Sequence, residues 1–385
     1  MRRDAPVLLG WARSAVTPRG GALASLAAHE IGAPVVRALL ARGGVEAASV
    51  DAVVCGNALG AGGNPARMIA LAAGLPDGTA GFSVDTQCCS GLDAVALGAG
   101  LIASGQARLV VAGGAEAWSR SPLRHHRPRH AGEAPVSYER PAFAPDPARD
   151  PDLLLAAARY AARRGISREA QDDFARLSHE RALAGRAQMA GEIVPIGEAD
   201  HDSYARALTP VRAARMPVEA VTDEPAPAAD PGAHAVSRLA IAPQADGAAF
   251  ILLAAPDAAA LLGARPRFRW RGGVQVGTAP EMPMAGAARA AARLLGDSSA
   301  LWGAEVHEAF AVLALAFAAD LGIAPACLNR GGGGLARGHP IGASGAVSLV
   351  RLLADMEREA PPGSLGLAAI AAAGGLGSAV LVEKL

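Results

Sequence analysis

Two segments far apart in the chain follow the same plan, which is an apolar helix, a short apolar strand and a Gly-Gly pair. The first segment predicts a helix at 92–104, a strand at 107–112 and glycines at 113–114, and the second predicts a helix ending near 358, a strand at 366–371 and glycines at 374–375. A repeat of this kind indicates that one α/β half has been duplicated. The alternative is the chance similarity that many α/β chains show.

Short apolar runs also alternate with longer alanine-rich stretches near the start of the chain. Residues 7–11 and 50–55 predict strands, and residues 23–43 predict a helix between them. This alternation favours an α/β fold built of layered sheets and helices. Hydrophobic residues make up 51% of the 385 residues but aromatic residues only 4%. We therefore expect a large core in which backbone layers pack closely.

Charge and cysteine content argue against several classes of protein. The chain has 36 basic and 36 acidic residues, so we expect no binding to nucleic acid or to an anionic membrane surface. No apolar run reaches the roughly 20 residues of a membrane span. The four cysteines form no Cys-x-x-Cys pair, which argues against a metal or dithiol site and fits a reducing compartment. We expect a cytoplasmic protein without a metal site.

The middle of the chain differs in composition from both ends. Residues 120–151 are rich in Arg, His and Pro, residues 217–232 are rich in Pro, Ala and Asp, and helices are predicted at 152–164 and 168–190. We interpret 119–245 as an inserted loop domain that rests on the duplicated core. The N-terminal half then comprises 1–118 plus 246–265, and the C-terminal half comprises 266–385. The Arg/His run at 124–130 is either a solvated loop or a contact for an anionic ligand.

Cys88 is the first candidate for chemistry. It lies between a predicted strand at 82–86 and the predicted helix at 92–104. Free backbone N–H groups and the positive end of the helix favour an anion at such a junction, so we expect a thiol of lowered pKa. The alternative is a small buried cysteine. Spacing alone does not decide between Cys88 and Cys89.

Two histidines are further candidates. His307 lies between an apolar strand and an apolar helix, where its ring can donate a hydrogen bond to a developing oxyanion. His339 follows a run of four glycines and precedes Pro340 at a predicted helix start, where it can act as general base toward Cys88. Each histidine also fits a capping or purely structural role. No Gly-Lys-Ser/Thr follows the glycines, so nucleotide hydrolysis is unsupported.

Taken together, these segments resemble the thiolase family over nearly the whole chain. The matching stretches are 87–92, 112–119, 165–172, 191–195, 307–310 and 338–345. The resemblance implies a fold of two similar α/β halves stacked as five layers, αβαβα, with an inserted loop domain over the site. It also implies a coenzyme A thioester as substrate, no permanently bound cofactor, and a homodimer or homotetramer.

The resemblance further implies roles for individual residues. Cys88, rather than Cys89, matches the family's nucleophile, and His339 matches the residue that activates it. His307, with His339, would hold the thioester oxygen of the second acyl group. The other oxyanion would be held by backbone N–H groups of Cys88 and of the loop at Ala373 and Gly374. The residues expected to contact substrate are Ala242, Phe310 and Ser344.

The sequence departs from the family at positions that matter for the reaction. The second reactive cysteine of the family is Ala371 here, and the position used by a related branch is Ala309. Ala242 replaces a serine that would contact coenzyme A, and residues 153–158 are all Leu or Ala. A positioned acid or base contributes about 100- to 10,000-fold. Acylation of Cys88 should therefore survive, whereas thiolysis and Claisen condensation should be slow.

Three functions remain open on these grounds. The first is a thiolase-type acyltransferase of fatty acid metabolism, resembling acetyl-CoA acetyltransferase or 3-ketoacyl-CoA thiolase. The second is a condensing or acyl-transfer enzyme without thiolysis, in which decarboxylation supplies the carbanion or the acyl chain comes from a carrier protein. The third is a non-catalytic subunit that binds acyl-CoA and pairs with an active partner.

Overall fold

Strands and helices alternate along most of the chain in the computed structural model, which describes residues 5–60, 62–224, 232–295 and 301–385. The strands are β1 Val7–Ser14, β2 Thr17–Pro18, β3 Ala52–Gly56, β4 Ala80–Val84, β5 Leu109–Ala117, β6 Arg124–His126, β7 Val136–Tyr138, β8 Ile193–Val194, β9 Val218–Ala220, β10 Val236–Ser237, β11 Ala245–Ala254, β12 Phe268–Gly277, β13 Gly303–Val306, β14 Leu365–Ala372 and β15 Leu376–Lys384. The α-helices are α1 Ala28–Gly43, α2 Pro65–Ala72, α3 Ser90–Ala103, α4 Leu153–Arg164, α5 Arg168–Ala184, α6 Arg186–Met189, α7 Pro210–Ala214, α8 Pro256–Leu261, α9 Gly286–Leu295, α10 Ala311–Leu321, α11 Gly334–Arg337 and α12 Ser344–Glu359.

A single row of hydrogen-bonded strands has the order β13-β14-β15-β12-β1-β11-β5-β3-β4. It consists of two similar sheets that meet where Val7 and Leu8 of β1 face Arg269 and Phe268 of β12. In the first sheet, β4, β3 and β5 pair in parallel and β5, β11 and β1 pair antiparallel. In the second sheet, β13 and β14 pair in parallel and β14, β15 and β12 pair antiparallel. This shared order confirms the prediction of two duplicated α/β halves.

The helices complete five layers. Helices α1 and α2 pack on the outer face of the first sheet, α3 and α12 lie together between the sheets, and α9 and α10 cover the outer face of the second sheet. Strand β3 shows how one sheet serves two layers: Val53 and Cys55 pack in the cluster with α1, and Ala52 and Val54 pack in the cluster with α3. This alternation follows from the period of two along a strand.

The two Gly-Gly pairs stand at the same point of the repeated sequence plan, but glycine is required in them for different structural reasons. Gly113 and Gly114 lie inside β5, because this strand continues beyond the predicted end at 112. A Cβ at Gly114 would lie 2.1 Å from the carbonyl oxygen of Gly342. Gly374 and Gly375 instead form a turn with φ values of +76° and +78°. Gly114 therefore allows close packing between the halves, and the second pair allows a left-handed turn.

The inserted segment and the ends of the helices show smaller differences from the expectations. The helix expected at 23–43 begins at Ala28, and the helix expected at 168–190 is interrupted at Gly185. Residues 225–231 of the Pro/Ala/Asp-rich stretch lie outside the described residues. The Arg/His run forms β6 of a hairpin with β7. In the part of the chain that the structure describes, no helix has the length and apolar character that a membrane span requires.

Candidate active site

Cys88 lies in the turn between β4 and α3, one residue after a strained position. Gln87 has φ of +55°, which is uncommon for a residue other than glycine. Its backbone N–H donates to Asp85 Oδ1 at 3.0 Å, and its carbonyl accepts from Ser90 Oγ at 2.5 Å. Ser90 Oγ also accepts from the N–H of Thr86 at 2.9 Å. These hydrogen bonds fix the turn that presents Cys88 at the start of α3.

His339 lies beside Cys88, with its Nε2 atom 3.2 Å from the sulfur. The other ring nitrogen, Nδ1, is 2.7 Å from Ser344 Oγ, and this hydroxyl donates to the carbonyl oxygen of Pro340 at 3.0 Å. Because the single hydroxyl hydrogen is used in that bond, Nδ1 must carry a hydrogen and donate to Ser344. The lone pair of Nε2 therefore faces the thiol of Cys88.

The charge states of this pair differ from the sequence expectation. Burial raises the pKa of the Cys88 thiol to about 12, although the backbone N–H groups of Ala373 and Cys88 face the sulfur and act in the opposite direction. Burial also lowers the pKa of His339 to about 4. The expected lowering of the thiol pKa by the helix terminus is thus wrong, since desolvation outweighs it. The resting pair is a neutral thiol and a neutral imidazole, which suits general-base activation.

His307 lies next to this pair. Its ring centroid is 4.3 Å from that of His339. The pKa of His307 lies well below its ordinary value, first because of burial and then because of the charges of His339 and Arg337. Its Nε2 atom is buried and has no hydrogen-bond partner within the described residues. An unpaired buried nitrogen costs about 1–3 kcal/mol. His307 lies behind His339 and is not among the residues that line the cavity beside Cys88.

A cavity of about 360 Å³ opens above Cys88 and His339. Ala242, Phe310 and Ala371 line it, as does Ala309. Ser344, by contrast, is buried beneath His339 and is not part of the cavity wall. The apolar wall of the cavity includes Leu153, Leu154, Ile241, Met284, Phe310 and Leu313. The site therefore combines one thiol and one base with an extended apolar surface.

The loop after β14 contributes backbone rather than side chains. The N–H of Ala373 faces the sulfur of Cys88, and its expected role as an oxyanion donor stays a prediction. Gly374 turns the chain, and a Cβ there would lie 3.1 Å from the carbonyl oxygen of Phe143. Ala371 presents only a methyl group to the cavity. It cannot accept or donate a proton.

Two residues that the sequence analysis did not single out, Glu116 and Trp118, hold these loops in place. Glu116 accepts hydrogen bonds from the N–H groups of Ala58 and Gly342, at 2.8 and 3.0 Å, and so connects the two halves. Trp118 Nε1 donates to the carbonyl oxygen of His339 at 3.0 Å. Glu116 and Trp118 both lie in the stretch 112–119 that resembles the thiolase family. This resemblance was the feature of the sequence that could have identified them.

Glu308 fixes the glycine-rich segment that precedes His339. Its carboxylate accepts from Ser178 Oγ at 2.7 Å, from Asn329 Nδ2 at 2.6 Å and from the N–H of Leu335 at 3.2 Å. A Cβ at Gly333 would lie 2.1 Å from the Glu308 carboxyl carbon. This glycine therefore allows the segment to approach Glu308. Across the described ranges, no group of three His, Cys, Asp or Glu residues is arranged to hold a metal ion.

Comparison with known proteins identifies two consecutive family models in the chain. The model of the thiolase N-terminal domain matches residues 7–257, and the model of the thiolase C-terminal domain matches residues 270–384. The two models together cover both halves of the strand row and the inserted segment.

Individual relatives match over nearly their full length. YhfS of Bacillus subtilis (strain 168), provisionally named as an acetyl-CoA C-acetyltransferase, is 37% identical over 95% of this chain and 96% of its own. An acetyl-CoA acetyltransferase of Rhizobium meliloti (strain 1021) is 36% identical over 100% of both chains. The crystal structure of the Acat5 thiolase from Ascaris suum in complex with coenzyme A has a TM-score of 0.88 and 27% identity, and it covers 100% of both chains.

Proposed function

The chain belongs to the thiolase family and is a thiolase-type acyltransferase acting on acyl-CoA, and we propose that it forms an acyl-enzyme on Cys88, as an acetyl-CoA acetyltransferase or 3-ketoacyl-CoA thiolase would. The observation that carries this proposal is the distance of 3.2 Å between Cys88 Sγ and His339 Nε2 at the base of the cavity. Coenzyme A enters as part of the thioester substrate, and we propose no permanently bound cofactor.

Acylation follows from the groups around the sulfur. His339 Nε2 takes the thiol proton while Cys88 Sγ attacks the thioester carbonyl. The N–H groups of Cys88 and Ala373 hold the oxygen that becomes negative. The bond from the carbonyl carbon to the coenzyme A sulfur then breaks, and His339 returns the proton to the departing thiolate. His307 Nε2, which has no protein partner among the described residues, holds the carbonyl oxygen of the second acyl group together with His339.

The second half of the reaction distinguishes this chain from a thiolase with two cysteines. Ala371 lies at the cavity wall where the resemblance places the second cysteine, and Ala309 occupies the alternative position. Neither methyl group can protonate a carbanion or deprotonate coenzyme A. We therefore propose that acylation proceeds readily and thiolysis proceeds slowly.

Two alternative functions also follow from the replacement of the second cysteine by Ala371. Decarboxylative condensation needs no second base, because loss of CO₂ generates the carbanion, and Cys88, His307 and His339 form the Cys-His-His set that such chemistry uses. In that case the acyl chain arrives either on a carrier protein or on coenzyme A. A non-catalytic subunit that binds acyl-CoA beside an active partner is the third candidate, and the loss of the acid/base cysteine is what favours it.

We also propose that the chain forms a homodimer through the edge of its strand row. Strand β4 is the last strand of the row, and Phe82 on it is 47% exposed. Met68, Leu71 and Leu97 on the adjacent helices are also exposed. An unpaired strand edge with apolar side chains is suited to pairing with another copy. A homotetramer of two such dimers is the alternative, and light scattering with size-exclusion chromatography decides between them.

The cellular location, the type of metabolism and the division into domains are also proposals. We propose a cytoplasmic protein of fatty acid metabolism. We also retain the division into 1–118 plus 246–265, 119–245 and 266–385, in which strand β11 returns the chain to the first sheet after the insertion. Expression of 119–245 alone, with folding measured by circular dichroism, tests whether the insertion is an independent unit.

Intact-mass spectrometry tests the acyl-enzyme directly. The protein is incubated with acetyl-CoA, and the expected adduct is one acetyl group that is absent from Cys88→Ala and present in Cys327→Ala. Acetoacetyl-CoA with free coenzyme A then tests thiolysis. Absence of any adduct on the reduced, folded protein would favour the non-catalytic subunit, and thiolysis at the rate of a two-cysteine thiolase would contradict the role assigned to Ala371.

A further inference from the structure

Arg124 is a cation in the cavity wall that the acyl-transfer chemistry does not use. It begins β6, is half-buried, and lies in the wall with Cys88 and His339. Its Nη2 atom donates to the carbonyl oxygen of Ala58 at 3.4 Å. This long bond leaves most of the N–H groups of the guanidinium without a protein acceptor among the described residues.

Arg124 differs in this respect from the other arginine of the wall. Arg140 forms an ion pair with Asp150, and its guanidinium lies 4.8 Å from the ring centroid of Phe143. Arg124 has no carboxylate within ion-pair distance in the described part of the chain. Glu139, the carboxylate of the wall, is exposed and does not pair with it. The charge of Arg140 is thus already compensated, whereas that of Arg124 is available to a ligand.

Arg124 is connected through Ala58 to the segments that carry the reacting pair. Ala58, its acceptor, is held by Glu116, which also holds Gly342 in the loop of His339. Trp118, which binds the His339 carbonyl, is part of the turn that leads to β6. Arg124 therefore shares the cavity wall with Cys88 and His339, whereas Arg127 on the same hairpin is exposed.

We propose that Arg124 binds a carboxylate at the far end of the acyl group, so that the preferred donors are mono-thioesters of dicarboxylic acids. This inference rests on the proposed acylation of Cys88. A guanidinium offers a planar pair of N–H groups that matches a carboxylate. The other walls of the cavity are mostly apolar. A neutral acyl chain therefore leaves the Arg124 guanidinium without a partner, whereas a chain that ends in a carboxylate supplies one.

The test compares thioesters that differ only in the terminal carboxylate of the acyl chain. N-acetylcysteamine thioesters of succinate, glutarate and adipate are compared with the corresponding neutral amides, and the rate of Cys88 acylation is followed by intact mass. These thioesters lack the coenzyme A phosphates. Since a hydrogen bond to a charged group contributes about tenfold to a hundredfold, at least one carboxylate should acylate about tenfold or more faster than its amide. Arg124→Gln should bring that ratio near one, and Arg124→Lys should retain part of it.

Control variants and substrates distinguish failure of the Arg124 proposal from failure of the proposed acylation of Cys88. Arg127→Gln removes an exposed charge from the same hairpin and should leave the ratio unchanged. A ratio near one in the unmodified protein, or a ratio that survives Arg124→Gln, overturns the proposal. It is also overturned if Arg124→Gln slows acylation by acetyl-CoA but not by acetyl-N-acetylcysteamine, because Arg124 would then bind the phosphates. If no thioester acylates Cys88, acetyl-CoA included, the proposed function itself fails.

Discussion

Ser344 Oγ and His339 Nδ1 are 2.7 Å apart, and the same hydroxyl donates to the carbonyl oxygen of Pro340. This relationship fixes which ring nitrogen carries the hydrogen, and it leaves the lone pair of Nε2 toward the thiol of Cys88. We therefore expect Ser344 to act on the proposed acylation through His339. It lies beneath the histidine and does not touch the cavity.

Replacement of Ser344 by Ala should slow acylation of Cys88 about tenfold to a hundredfold, since the ring loses the acceptor that fixes its tautomer. The measurement is the rate of acetyl adduct formation from acetyl-CoA by intact mass. Ser348→Ala, a buried serine on the same helix, is the matched control and should change the rate little. Equal rates for both variants would show that Ser344 has no part in orienting His339.

Acylation should depend only weakly on pH between about pH 6 and 9. The pKa of His339 is lowered to about 4, so its neutral form is present above that pH and is lost as the pH falls through it. The pKa of Cys88 is raised to about 12, so the thiol stays protonated over the same range. Rates of acetyl adduct formation across this range provide the measurement. A rise of about tenfold per pH unit would instead indicate attack by a free thiolate.

The sequence was sufficient to predict the layered fold and to single out Cys88, His307 and His339. These residues stand in motifs at a strand or helix junction, and the structure brings their side chains together. The pKa of Cys88 was not predictable in this way. The helix terminus is visible in the sequence, whereas the burial that outweighs it depends on the loops at Ala373 and His339, which come from the other half of the chain.

Long-range contacts account for most of the remaining differences between the sequence-based expectations and the structure. Glu116 binds Gly342, which is 226 residues away, and no local pattern predicts such a partner. The sequence analysis ended the strand before the glycines of β5, and the close approach that requires Gly114 is to the backbone of Gly342 on the opposite half. Ser344 was expected to contact substrate because of its motif, and only the positions of His339 and Pro340 show that its hydroxyl contacts these two residues instead.

Gly114→Ala should destabilise the protein by more than the roughly 1–3 kcal/mol that ordinary overpacking costs. The added Cβ would lie 2.1 Å from the Gly342 carbonyl oxygen, and this contact is with backbone that cannot rotate away. The urea midpoint followed by circular dichroism measures the effect. Gly100→Ala, inside α3 with no atom within 4 Å of the added Cβ, is the control and should raise stability by about 0.5–1 kcal/mol. A midpoint for Gly114→Ala equal to that of the unmodified protein would contradict the close contact between the halves.

Ala371→Cys should increase thiolysis of acetoacetyl-CoA without a comparable increase in the rate of Cys88 acylation. The new thiol would stand at the cavity wall where Ala371 now presents a methyl group. A positioned acid or base contributes about 100- to 10,000-fold, so a gain of about tenfold or more is expected even if the geometry is imperfect. Ala372→Cys, which places a thiol at the neighbouring position of the same wall, is the control. If both variants gain equally, the position is not specific. If neither gains, the slow step lies in the altered apolar wall rather than in the missing acid/base group.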